Sequence, residues 1–377
     1  MILGVNQPNA PDGAHEAGKR LESLDALRGF DMFWIVGGSW IFGSLDAIFG
    51  SPLTGLIDRQ LEHVPWNGFR FWDLIMPLFL FIVGVAMPFS SAKRLARGDS
   101  RKKLYSHIVM RFFILFILGM VAQGHLLSYD LAKLHICCNT LQAIAAGYLI
   151  GSIIMLNLKI RWQIGATAGL LLLFWALMAW MPVPGFGAGQ LTPEGNLAIY
   201  LDKLIQGPFQ DGTDYSWILS SLTFTGTVMM GVFGGLLLRS KKTQLQKVLW
   251  LFGAGILSIG VGLFWSIWFP IIKHLWTSSF VLFSGGLCFL LLGFFYLVMD
   301  VWGYRKWAFM FKVIGMNAIF VYMITRLFDF RRIGDIFVGG LADRLGPWNG
   351  LVQGLTGFAV IWLILYWMYR KRTFVKI

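Results

Sequence analysis

Ten stretches of the chain are apolar for about the length of a bilayer. They lie at roughly 26–48, 70–91, 107–127, 136–157, 162–181, 216–238, 246–268, 276–299, 309–327 and 350–369. A spanning helix needs about 20 mostly apolar residues, and each run meets that length or comes close. The pattern predicts an all-α polytopic membrane protein with about ten transmembrane helices. The ninth run is short and carries Asn317. Between the first two runs, Leu53, Leu56, Ile57 and Leu61 recur at helical spacing, which suits a helix lying in the interface. Two further connections on that side, 182–215 and 328–349, are long. Gly165 with Gly169 and Gly231 with Gly235 form small-xxx-small pairs, expected at helix contacts. Residues 1–19 are polar and read as a disordered tail. Residues 20–377 read as one transmembrane domain.

Composition agrees. The 377 residues are 56% hydrophobic and 14% charged, against about 45–50% and about 25% in soluble domains. A disordered chain, a disulfide scaffold and an ordinary soluble enzyme are excluded. The formal charge of +13 raises the question of nucleic acid, but its placement answers it. With the N-terminus inside, 23 of the 32 Lys and Arg fall on the inner side, as the positive-inside rule demands. Both termini are therefore expected in the cytoplasm, and no nucleic-acid partner is expected. Residues 1–18 lack the charged start and apolar run of a signal peptide. Three cysteines, two of them adjacent (Cys137, Cys138), give no disulfide framework, and no CxxC or HExxH spacing points to a metal.

Polar groups inside the apolar runs are costly in lipid, so each is a functional candidate. Asp25, Arg28 and Asp31 sit at the inner end of the first run. They read either as a fixed positive group facing a polar cavity or as an ion pair closing the helix. Glu62, His63, Trp66, Asn67, Arg70 and Asp73 crowd the outer entry to the second run. A histidine there can exchange a proton near neutrality, and Asp73, one turn inside, needs a partner. His135, Asn139 and Gln142 are spaced i, i+4, i+7, so a helix would carry them on one face, to line a site or to bond helices. Asn317 lies within the ninth run, suited to a ligand or to a neighbouring helix. Arg28 and Arg111, with the basic loop 93–103, lie on the inner side. A long substrate with phosphates toward the cytoplasm would meet them, although the loop also fits plain positive-inside bias.

Five segments, in order, carry a resemblance: RLESLDALRGFDMF, LEHVPWNGFRFWDLIMPLFLFIVGVAM, NTLQAIAAGYL, LTPEGNLAIYLDKLI and GMNAIFVY. Over roughly residues 20–370 the chain resembles the heparan-α-glucosaminide N-acetyltransferase family and its bacterial relatives. The second segment is the most specific of the five. The resemblance implies a multi-helix acetyltransferase of the bacterial inner membrane that takes acetyl-CoA from the cytoplasm and an amino sugar as acceptor. It also implies that His63, before Trp66 and Gly68, is catalytic.

On that reading His63 is the base and Asp73 or Glu62 orients it. Asn139, Gln142 or Asn67 would donate to the oxyanion. Trp66, Asn67, His135, Asn139, Gln142 and Asn317 would hold the acceptor, and Arg28, Asp25 and Arg111 the donor. A covalent acetyl-histidine remains an alternative to direct transfer. No large outer domain stands ready for a polymer, so a small glucosamine-like acceptor is expected. Membrane lipid and a second copy of the chain are the other expected partners. Two rivals stand beside this reading: an amino-sugar transporter, and an O-acyltransferase acting on a lipid or surface glycan.

Overall fold

The computed structural model describes residues 21–375, and the expected tail at 1–19 lies outside them. The described chain is helical, with no strands beyond two isolated bridges. The helices that matter below are α1 (Glu22–Phe33), α2 (Pro52–Gln60), α3 (Ile75–Ala96), α4 (Arg101–Ala122) and α5 (Thr140–Asn157). They continue with α6 (Ile160–Trp180), α7 (Leu197–Gln206), α8 (Ser221–Arg239), α9 (Gln244–Trp265) and α10 (Ser278–Tyr296). The last four are α11 (Phe309–Gly315), α12 (Ala318–Leu327), α13 (Phe330–Ala342) and α14 (Asn349–Arg370).

Among the described residues, nine helical stretches are long and apolar enough to cross a membrane. The ninth expected run is a bent pair instead: α11 and α12 meet at 64°, with Asn317 in the break. The expected outer connection 328–349 is largely helical too. α13 runs against α14 so closely that a Cβ on Gly334 would lie 2.7 Å from the Gly357 nitrogen. The helix expected between the first two spans appears as α2. Its Ser51 N-cap and Thr54 form a reciprocal capping box, which fixes where the helix begins. Leu53 and Leu56 on it are exposed, as an interfacial helix requires.

Glycine decides which helices touch. α3 and α8 cross at Gly84 and Gly231. A Cβ on either would stand 2.0 Å from a carbonyl oxygen of the other helix (Val228 or Phe81). Gly235 makes a similar approach to Val85. The expectation for Gly165 and Gly169 is not met, since a Cβ on either would meet no other part of the described chain within 4 Å. Their small side faces outward from α6, where lipid or another molecule can fill it.

Connections that follow odd-numbered spans share one end of the bundle: 50–70, 123–139, 181–220, 266–277 and 328–348. The described chain ends share the other. The connection end is firmly built. Phe174, Met178, Val183, Leu197, Phe269, Ile272 and Leu275 form an apolar cluster of their own there, and that cluster pins the 181–220 and 266–277 connections to the ends of α6 and α9.

Candidate functional site

His63 lies on the connection between the first two spans, half exposed, with its ring against Asp73. Its Nδ1 is 2.8 Å from Asp73 Oδ1. Asp73 opens the second span and is almost completely buried. Its other oxygen, Oδ2, accepts the Arg70 amide at 3.0 Å and the Val64 amide at 3.4 Å. Local sequence accounts for this. The 62–70 segment turns back on itself before Phe71–Leu74, and Asp73 serves as the acceptor at that turn. Arg70 ties the same segment by donating to Glu62 Oε2 at 3.1 Å and to the His63 carbonyl at 3.3 Å. Glu62 is therefore engaged by Arg70, and Asp73 is the carboxylate that orients the histidine.

A third group completes the cluster, and sequence reasoning missed it. Lys273, from the connection between α9 and α10, brings Nζ to 3.0 Å from His63 Nδ1 and 3.3 Å from Asp73 Oδ1. Its side chain is 7% exposed. Burial lowers its pKa to about 8, against the opposing pull of the Asp73 charge. The segment FPIIKHLW holds it there. Phe269, Ile272, Leu275 and Trp276 are buried, and the backbone is stitched on both sides. Gly68 donates to the Ile271 carbonyl and Ser216 to the His274 carbonyl, each at 2.9 Å. Thr277 Oγ1 donates to the Pro270 carbonyl at 2.8 Å. The one signal in the sequence was a lone lysine within an apolar connection, on the side of the bundle poor in basic residues.

The cluster opens on a cavity of about 220 Å³. Ile75, Met76, Phe79, Leu141 and Ile144 give it an apolar floor. Gln123, Asp211, Thr213, Tyr215 and Arg326 join His63 and Lys273 as its polar wall. Tyr215 stacks on His274 with ring centroids 4.2 Å apart, and burial raises its phenol to about 12, so it remains a proton donor at neutral pH. Burial, and then the neighbouring Lys273 cation, lower the His274 pKa. The wall that carries Asp211 to Trp217 is anchored from α7. Asp202, fully buried, accepts the Trp217 amide at 2.6 Å and the Ile218 amide at 2.9 Å. Burial raises that carboxyl to about 6.

The remaining expected site residues lie elsewhere. Asn139 and Gln142 do not form a polar face, because α5 begins only at Thr140. They are its capping box. Gln142 Oε1 accepts the Cys138 and Asn139 amides, its amide group donates to the Ile136 carbonyl, and Asn139 accepts the Leu141 amide. Asn139 also bonds Gln123 and Tyr322, so these side chains support the cavity wall from behind. His135 precedes the helix, its ring 5.8 Å from that of His125, and is not a lining residue. Trp66 donates to the Leu191 carbonyl at 2.8 Å and packs edge-on against His274, and Asn67 pairs with Ile272. Both brace the Lys273 connection. Asn317 sits at the α11–α12 break and holds the C-terminal segment, donating to the Thr373 carbonyl and accepting the Val375 amide. Arg28 is 3.5 Å from Asp25, and Arg111 lies over the Tyr148 ring at 4.5 Å. None of these three lines the cavity. Cys137 and Cys138 are free, with thiols that burial raises to about 12. No group of three or more His, Cys, Asp or Glu that could hold a metal occurs among the described residues.

No family profile matches the chain. Two curated proteins are similar to it along nearly its whole length, and both are named heparan-alpha-glucosaminide N-acetyltransferase. The mouse (Mus musculus) protein is 26% identical over 97% of this chain and 62% of its own length. The human (Homo sapiens) protein is 25% identical over 95% of this chain and 60% of its own length. The chain thus spans about three fifths of the curated relatives it matches.

Proposed function

We propose that the chain is a membrane-embedded acetyltransferase whose reacting centre is the cavity beside His63, with acetyl-CoA as donor and a small glucosamine-like amine as acceptor. The observation that carries this reading is the His63–Asp73 contact at the cavity wall. A carboxylate on Nδ1 fixes the ring and leaves Nε2 for the cavity. Nε2 then takes a proton from the acceptor amine as nitrogen attacks the thioester carbonyl, and returns it to the departing thiolate. Such a base contributes about 10²–10⁴-fold.

The cavity's shape supports the division of substrates. Drug-sized ligands occupy about 300–1,000 Å³, so about 220 Å³ suits a monosaccharide and the acetyl end of the donor, with the nucleotide outside. The apolar floor fits a slender thioester chain. The polar wall fits hydroxyls and an amine, with Asp211 as a carboxylate in the lining. Asp73 is not free for that task, since His63, Lys273 and two backbone amides engage it.

Arg28, Asp25 and Arg111 lie outside this cavity, and in this reading Arg28 and Arg111 meet the donor's phosphates at the other end of the bundle. Positive-inside charge bias supports a cytoplasmic donor and a multi-pass bacterial inner-membrane location. The test is purified protein in proteoliposomes with acetyl-labelled acetyl-CoA on one side and glucosamine on the other. Labelled N-acetylglucosamine with stoichiometric free CoA is expected. Unmodified glucosamine crossing the bilayer without CoA release would replace this reading with transport.

A further inference from the structure

The structure assigns to Lys273 a role that neither the sequence nor the named relatives indicate: it is the proton-holding partner of His63, taking the Nδ1 proton as Nε2 receives one from the acceptor. This rests on the acetyl-transfer reading, and it adds a positioning residue to it.

The argument starts from geometry. His63 Nδ1 has one hydrogen-bonding position, and two groups compete for it, Asp73 Oδ1 at 2.8 Å and Lys273 Nζ at 3.0 Å. A lysine ammonium has three donors and no acceptor. As an ammonium, Lys273 can face Nδ1 only where that nitrogen is bare, which puts the ring proton on Nε2. The ring then offers the cavity a donor and no base. As a neutral amine, Lys273 has a lone pair. Nδ1 can then carry the proton toward Asp73, and Nε2 is free to accept. The charge on Lys273 therefore selects which ring nitrogen is basic.

The proton balance closes within the cluster. The acceptor amine attacks the thioester carbonyl carbon, the C–N bond forms, and the C–S bond breaks. The amine's proton moves to Nε2, the Nδ1 proton moves to Nζ, and the resulting ammonium is paired with Asp73 at 3.3 Å. Reversal of the two proton shifts protonates the departing thiolate and resets the site. No group outside the cluster and its two substrates is needed.

Lys273 is suited to the task by its surroundings. Burial holds its basicity at about 8, well below an ordinary lysine. The charged or titratable groups around it and His63 are few. Asp73 touches both, His274 is next in the chain, and Tyr215, Asp211 and Arg326 face the same cavity. Arg70 reaches only the His63 carbonyl, and its charge is met by Glu62.

The test combines pH–rate profiles with nitrogen NMR of labelled protein in nanodiscs. In the unaltered chain, transfer should rise with pH through about 8, as Lys273 becomes able to receive the proton. In Lys273→Met the rise through about 8 should disappear, with a plateau lowered roughly tenfold, a small part of what a general base contributes. Lys273→Arg should lose about 10²-fold or more at every pH, because guanidinium does not deprotonate. Identical profiles in the unaltered and Lys273→Met proteins, or an active Lys273→Arg, would overturn the proposal. The NMR arm needs no substrate and no variant. The His63 proton should shift from Nε2 to Nδ1 as the Lys273 signal titrates. A ring tautomer that ignores Lys273 rejects the proposal even if acetyl transfer is real. A coupled tautomer with no acetyl transfer keeps the proton pair and rejects the chemistry.

Discussion

Asp73 and Asp31 are both buried aspartates on helices of spanning length, and the structure treats them in opposite ways. Asp73 stands at the connection end of the bundle, where a histidine, a lysine and two backbone amides converge on its two oxygens. Asp31 lies in α1, and neither of its oxygens meets a hydrogen-bond donor among the described residues. A buried acid earns a chemical role through the donors that other elements bring to it. At the connection end, segments 200 residues apart in sequence are stitched together to supply them. Around Asp31 the neighbours are apolar helices in close contact, with glycines at 29 and 315 bringing α1 and α11 backbone to backbone.

The sharpest way to break this contrast is to neutralise each acid in turn. Asp73→Asn keeps the shape and removes the charge that orients His63 and pairs Lys273. Acetyl transfer should fall by about 10²-fold or more, with the protein still folded, as steady-state rates and a thermal melt would show. The donor side comes next. Arg28→Ala should raise the KM for acetyl-CoA about tenfold while the KM for the amine stays put, since a phosphate contact by arginine is charge-assisted. An unchanged donor KM would move the nucleotide site to Arg111, Lys312 or the 93–103 loop.

Asp202 gives a pH signature for the wall. Its carboxyl is raised to about 6 from an ordinary 3.8. Between those values the folded state binds more protons than the unfolded one, so stability falls as pH rises through that window. The span is worth at most about 3 kcal/mol. The melting temperature of the unaltered protein should drop between about pH 4 and pH 6, and Asp202→Asn should flatten that slope. The smallest effect belongs to Asp31. Asp31→Asn should change stability by no more than about 1 kcal/mol and leave transfer within twofold, because no bond to its oxygens is lost. A large loss there would mean that the quiet end carries chemistry too.

Much of this was legible in the sequence. Spanning helices announce themselves because lipid demands long apolar runs, and among the described residues nine helical stretches are of spanning length. A pairing of His63 with Asp73 or Glu62 was legible because an acid at that depth needs company, and the structure gives the histidine to Asp73. Lys273 was not, because its approach depends on how two distant connections fold over one apolar cluster. Asn139 and Gln142 were misread because the helix start was placed four residues too early, which turned two capping residues into a polar face. Asn317 looked like a mid-helix amide because nothing local marks the 64° break that it occupies. Gly165 and Gly169 show the limit of spacing alone, since a motif can mark a contact face without saying which molecule meets it.

The central claim is that His63 performs acetyl transfer at this cavity. The most direct measurement compares purified unaltered protein with His63→Ala, each given acetyl-CoA and glucosamine and scored for N-acetylglucosamine and free CoA. The ring is half exposed, so its removal opens no core cavity and the variant should fold. The account predicts turnover by the unaltered protein and a loss of about 10²–10⁴-fold in the variant. A folded His63→Ala protein that turns over near the unaltered rate would contradict it.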